Sequence, residues 1–98
     1  VTLKGLSNRL KIKTPMVRKI AVMDLIKRQD EFGVAEVAQV LLKHLPAESN
    51  PQLQVRIIEF LGQSRITEAI EPLEALTSDN PPVADAVRRA VETLRNQQ

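Results

Sequence analysis

His44 is the only histidine of this 98-residue chain, and it is the one side chain whose ordinary titration suits acid–base work near neutral pH. It stands near the end of the segment VAEVAQVLLKHL (34–45). A metal centre needs several converging ligands, and the chain contains no cysteine. His44 is therefore read as a solvated residue near a helix C-terminus, an end that favours its positive form. The three glycines are scattered and form no phosphate-cradling loop. Carboxylate pairs such as Glu71/Glu74 and Asp30/Glu31 do acid–base chemistry only in a concave, water-poor site. Their setting reads instead as exposed helix faces and turns. The expectation is no catalytic residue, no metal and no cofactor.

Charge offers more. Residues 1–28 carry eight basic residues and one acid, whereas residues 29–98 carry six bases and eleven acids. The eight are Lys4, Arg9, Lys11, Lys13, Arg18, Lys19, Lys27 and Arg28, a set suited to contact with an acidic partner or a polyanion. No aromatic residue stands among them, so nucleic-acid bases would have nothing to stack on. Asp24 falls among Val17, Ile20 and Ala21 on the expected apolar side of its helix, and Arg56 takes a place usually held by a small apolar residue. Asp24 is expected to meet Arg56 in a structural ion pair between neighbouring helices, or else to pair with Arg28 one turn along.

The elements that must position these residues announce themselves by their openings. Thr14-Pro15, Asn50-Pro51 and Asn80-Pro81 each combine a capping side chain with a proline at the first helical position. Apolar residues at helical period follow each: Val17, Ile20, Ala21, Leu25; then Leu53, Ile57, Phe60, Leu61; then Val83, Ala86, Val87, Ala90, Val91, Leu94. The pattern predicts six helices, at about 2–12, 15–29, 34–45, 51–63, 67–77 and 81–96, and no strand. The first is the weakest, since Gly5, Ser7 and Asn8 are poor helix formers. Thr67 is expected to cap the fifth, Pro72 to bend it, and Gly33 and Gly62 to mark helix ends. In the last helix Asp85, Arg88, Arg89, Glu92 and Arg95 are expected to face water.

The second helix is apolar around almost its whole circumference, through Met16, Val17, Ile20, Ala21, Val22, Met23, Leu25 and Ile26. Such a helix is expected to lie in the core. Left uncovered by the first helix, Met16, Val22, Met23 and Ile26 would form an adhesive patch.

The three prolines lie 36 and 30 residues apart, and the extra residues fall in turns, as stacked helical pairs tolerate. The stretch PQLQVRIIEFLGQSRITEAIEPLEALTSDNPPV (51–83), with Leu61-Gly62, Ala69, Ile70, Pro72, Leu73, Leu76 and Asp79, resembles the HEAT-repeat family in its short, phycobilisome-lyase-like form. Val17-Arg18 is similar to that family's Val-Arg opening, while Gln54 and Ala84 depart from it. The resemblance implies an all-α, right-handed solenoid of three antiparallel helix pairs in one domain, with repeats at about 1–30, 31–64 and 65–98. It also implies a non-catalytic protein-binding scaffold, although some relatives handle bilins and others act on DNA.

The expected partner is another protein, met by the basic and exposed positions of the first two repeats. A polyanion held by the basic N-terminal repeat is the alternative. The opposite charges of the two portions leave self-association open. No apolar run approaches the length of a membrane span and no charged-then-apolar leader is seen, so the expected location is the cytoplasm.

Overall fold

The computed structural model describes residues 2–76 and 78–97, which form helices joined by short turns with no strand among them. Seven α-helices follow one another: α1 (Leu3–Arg9), α2 (Pro15–Lys27), α3 (Gln29–Phe32), α4 (Val34–His44), α5 (Pro51–Gln63), α6 (Ile70–Ala75) and α7 (Pro81–Arg95). A 3-10 turn, Leu45–Ala47, follows α4, and another, Thr67–Ala69, precedes α6.

Two of the three expected openings work as capped starts. The Asn50 side chain accepts hydrogen bonds from the N–H groups of Gln52 and Leu53 at 2.9 and 3.2 Å, and Asn80 accepts from that of Val83 at 3.3 Å. Thr14 makes no such bond although Pro15 does open α2. The threonine that caps is Thr2, whose hydroxyl accepts from the Gly5 N–H at 3.0 Å and holds the weak first helix. Asn50→Ala is therefore expected to cost about 1–2 kcal/mol, whereas Thr14→Ala changes stability by less than about 0.5 kcal/mol. Urea denaturation of the two variants checks the contrast.

Other boundaries move for local reasons. The expected 15–29 helix ends at Lys27, and a single further turn, α3, occupies a stretch read as loop. Gly33 then adopts φ 94°, a backbone state that favours glycine, and separates α3 from α4. Thr67 caps nothing. Pro72 cannot donate to the Glu68 carbonyl and its ring crowds that group, so residues 67–69 wind as a 3-10 turn. The proline then sits in the first turn of α6, where an N–H has no acceptor within the helix. Residue 77, the expected end of that helix, lies outside the described residues.

One apolar cluster runs from Leu6 and Leu10 through Ala21, Val22 and Leu25 to Leu94. α1 packs on α2 and α6 on α7, and the most extensive interface joins α5 to α7. Gly62 makes that interface possible. It stands in the last turn of α5, at the helix end expected of it, and a Cβ there would stand 2.9 Å from the Ala90 Cβ and 3.0 Å from the Ala90 Cα. α5 also touches α2 and α4. The Cα trace forms a slab of 34 × 28 × 17 Å, whose shortest dimension holds about two packed helices.

Candidate functional site

Helix α2 presents two unlike faces. At about 100° per residue, Arg18, Ala21, Val22 and Leu25 share one side, and all four are buried. The opposite side carries Met16, Lys19, Ile20, Met23 and Lys27, all exposed. The fractional exposures of Met16, Ile20 and Met23 are 61%, 52% and 43%; Ile12, in the preceding turn, reaches 42%. These four are the large apolar side chains left open among the described residues. Ile20 thus lies outside the core that its spacing suggested. The expectation of a core helix holds for Val22, fully buried, and in part for Ile26, half-buried, but not for Met16 and Met23.

The basic residues divide accordingly. Lys4, Arg9, Lys11, Lys13, Lys19 and Lys27 are exposed, with Lys11 and Lys13 flanking Ile12 and Lys19 and Lys27 bordering Met16, Ile20 and Met23. Arg28 is half-buried and bonds locally to Glu31 at 3.3 Å. Arg18 departs from the expectation of partner contact, because it is buried with 7% exposure.

Arg18 is instead the hub of a clasp. Its Nε and Nη2 donate to the Glu48 carboxylate at 3.0 and 3.1 Å, and its Nη1 donates to the carbonyls of Ile12 and Lys13 at 2.9 and 2.7 Å. Glu48, between the turn after α4 and the start of α5, has a side chain with no solvent exposure. It accepts further bonds from His44 Nε2 at 2.8 Å and from the Asn50 N–H at 2.9 Å. The Gln54 amide closes the loop by donating to the Glu48 carbonyl at 2.6 Å. His44 is consequently not the solvated residue expected of it; its side chain is 11% exposed, and because an ionised carboxylate only accepts, Nε2 is the nitrogen that donates to Glu48. Four segments converge here: the turn before α2, α2 itself, the end of α4 and the beginning of α5.

Burial pushes the Glu48 carboxyl up, but hydrogen bonds from Arg18, His44 and the Asn50 N–H, with the Arg18 charge, outweigh it and hold the group below its ordinary value of 4.5. A depressed folded-state value means that Glu48 contributes stability above pH 4.5, and that this contribution disappears as pH falls from there through the lower, folded-state value. Glu48→Gln removes the titration. The difference in melting temperature between the parent protein and this variant is therefore expected to shrink as pH falls below about 5. Parallel scanning calorimetry from pH 7 to 3 reads this directly.

The expected contact between Asp24 and Arg56 is not made. Among the described residues no ion pair includes either. α2 meets α5 on the side of Ile26, which lines a crevice with Arg56, Glu59 and Phe60. Asp24, two residues earlier, points about 200° away around the helix. Arg56 is exposed on the arc of α5 that also carries Gln52, Glu59 and Gln63. Asp24 makes no ion pair with Arg28 either. Across the molecule, Asp85, Arg88, Arg89, Glu92 and Arg95 face water as expected, and Arg95 pairs with Glu74 of α6.

The clasp escaped the sequence reading although a signal was present. Arg18 stands three, four and seven residues before Ala21, Val22 and Leu25, which puts a lone guanidinium on the buried stripe. A buried arginine demands a carboxylate; its partner lies 30 residues away in an irregular turn, where periodicity is silent. Among the described residues no group of three His, Asp or Glu side chains gathers as a metal site, and no helix is long and apolar enough to cross a membrane. Comparison of the chain with protein-family models, curated proteins and solved structures finds no match in any of the three.

Proposed function

We propose that this chain is a non-catalytic protein-binding scaffold of the HEAT-repeat type, acting in the cytoplasm. In this reading α1/α2, α4/α5 and α6/α7 are successive antiparallel pairs of a right-handed solenoid. Its support is the recurring proline opening of α2, α5 and α7, and the position of α5 against both α2 and α7. The observation that carries the functional reading is the segregation of surface chemistry. Of the four large apolar residues exposed among the described residues, Met16, Ile20 and Met23 share the outer face of α2 and Ile12 stands in the turn before it, whereas the outer face of α7 is charged. Concentrated exposed apolar surface rimmed by polar groups marks an interaction site.

Capture from native lysate on the immobilised chain, beside the variant Ile20→Asp/Met23→Asp, tests this reading. A protein retained by the parent chain, lost with the variant and binding with fixed stoichiometry when purified is the expected result. Retention of no protein by the parent chain contradicts it, and equal retention by both forms moves the binding surface away from α2. A polyanion is the second reading, favoured by the six exposed bases Lys4, Arg9, Lys11, Lys13, Lys19 and Lys27. It requires binding to random duplex DNA or RNA that weakens steeply with salt, whereas the scaffold reading expects no retention of either even at low ionic strength.

A further inference from the structure

The apolar row on α2 is specific about what can cover it. Met16, Ile20 and Met23 recur at four and three residues, so they form a straight ridge about 10 Å long at 1.5 Å per residue, and Ile12 is exposed in the turn before the helix. The exposed cations Lys19 and Lys27 share this side of α2, and Lys11 and Lys13 stand exposed in the turn before it. The one acid of this segment, Asp24, is half-buried.

Resting on the protein-binding reading, we propose that the outer face of α2 docks an acidic amphipathic helix of a partner protein. The partner's apolar residues, at helical spacing, pack on Met16, Ile20 and Met23, and its flanking Glu and Asp side chains meet Lys13, Lys19 and Lys27. Charge complementarity selects this occupant. A second copy seated face to face would bring lysines against lysines around the apolar row, which opposes association. Seated instead on the acidic side of α6 and the turn before it, the row would meet Glu68, Glu71 and Glu74 without a large exposed apolar side chain to pack on. An anionic membrane satisfies the lysines, but the face carries none of the aromatic residues that anchor interfacial helices; Phe60 is buried and Phe32 half-buried on other elements. Two methionines suit a ridge that adapts to the shape of an incoming helix.

The clasp ties this face to the fold. Arg18 does not touch the partner. Its bonds to the Ile12 and Lys13 carbonyls tie the turn that carries Lys11, Ile12 and Lys13 to α2.

A displayed library of 18-residue helices tests the proposal, with Leu fixed at four positions of helical spacing and the flanks varied among Glu, Lys, Gln and Ala. Selection against the intact 98-residue chain is expected to enrich Glu at the flanks. Binding of the selected peptides should weaken at least tenfold with Ile20→Asp, an exposed position that leaves the melting curve unchanged. Lys13→Glu/Lys19→Glu/Lys27→Glu should reverse the flank preference to Lys. Enrichment of Lys or absence of charge preference with the parent chain overturns the proposal. Indifference to Ile20→Asp overturns it too, while leaving a protein-binding role through another surface intact. Sedimentation of the chain with vesicles containing phosphatidylserine, abolished by Ile20→Asp and accompanied by no helix enrichment, overturns it in favour of a lipid surface.

Discussion

Glu48→Ala is expected to be among the most damaging single substitutions in this protein, lowering its unfolding free energy by about 3–5 kcal/mol. The change leaves the Arg18 guanidinium buried beside the carbonyls of Ile12 and Lys13 with no counter-charge, and it strips acceptors from His44 and the Asn50 N–H. Folded domains are stable by only about 5–15 kcal/mol, so such a loss brings a chain of this size close to unfolding at ambient temperature. Removing both charges is expected to be milder. In Arg18→Met/Glu48→Leu nothing ionic is left stranded, and the two single effects should exceed the double effect by about 1–3 kcal/mol. Urea denaturation of the four-member cycle measures this coupling. Additive single effects would show that Arg18 and Glu48 stabilise the fold independently.

Gly62→Val is expected to cost at least about 3 kcal/mol, at the overpacking extreme, and to loosen α5 from α7. Helix propensity alone argues the other way, because glycine in a helix interior is worse than alanine by about 1 kcal/mol. Sterics win here because the obstacle includes backbone: a new Cβ meets the Ala90 Cα at 3.0 Å as well as the Ala90 Cβ at 2.9 Å. Gly62→Ala is accordingly destabilising by a smaller amount, about 1–2 kcal/mol. Adding Ala90→Gly relieves only the Cβ part of the clash, so rescue should be partial. Thermal unfolding of the three variants orders them, and a Gly62→Ala protein more stable than the parent would show that the α5–α7 contact is looser than described.

Side-chain chemistry at these two places explains what could be read from the sequence. Helices with local signals were legible: Asn50 and Asn80 stand before proline at α5 and α7, and those two helices begin and end close to the expected residues. Apolar period also placed Leu53, Ile57, Leu61, Val83, Ala90 and Leu94 correctly in the core. Period failed on α2, because a helix apolar all round does not reveal which arc its neighbours cover. Spacing places Ile20 inward with Val17 and Ala21, yet it is open, whereas Val22 is buried as a core helix requires. Neighbour-dependent features were equally hidden. Gly62 looked like a terminator, yet its missing side chain serves a contact with Ala90, 28 residues on. Arg18 looked like one base among eight until the turn carrying Glu48 folded against it.

The candidate site was legible in its composition and not in its geometry. The N-terminal basic cluster reads directly from the chain, and six of its eight members are exposed where a partner can meet them. The two that are not, Arg18 and Arg28, engage carboxylates of their own molecule. The Asp24–Arg56 pairing failed because helical angle alone says nothing about which side of α2 faces α5, and that side is the one bearing Ile26.

The openness of the outer face of α2, and its closure by a partner, can be followed at the only two methionines of the chain, since both stand on it. Mass-spectrometric rates of peroxide oxidation at Met16 and Met23, in the purified chain and in its complex with the protein recovered by capture, measure both properties. Oxidation within about threefold of a free peptide methionine in the chain alone, slowed at least about fivefold at both residues in the complex, is the expected result. Slow oxidation in the chain alone, or rates unchanged by the partner, would contradict the assignment of this face as the docking surface.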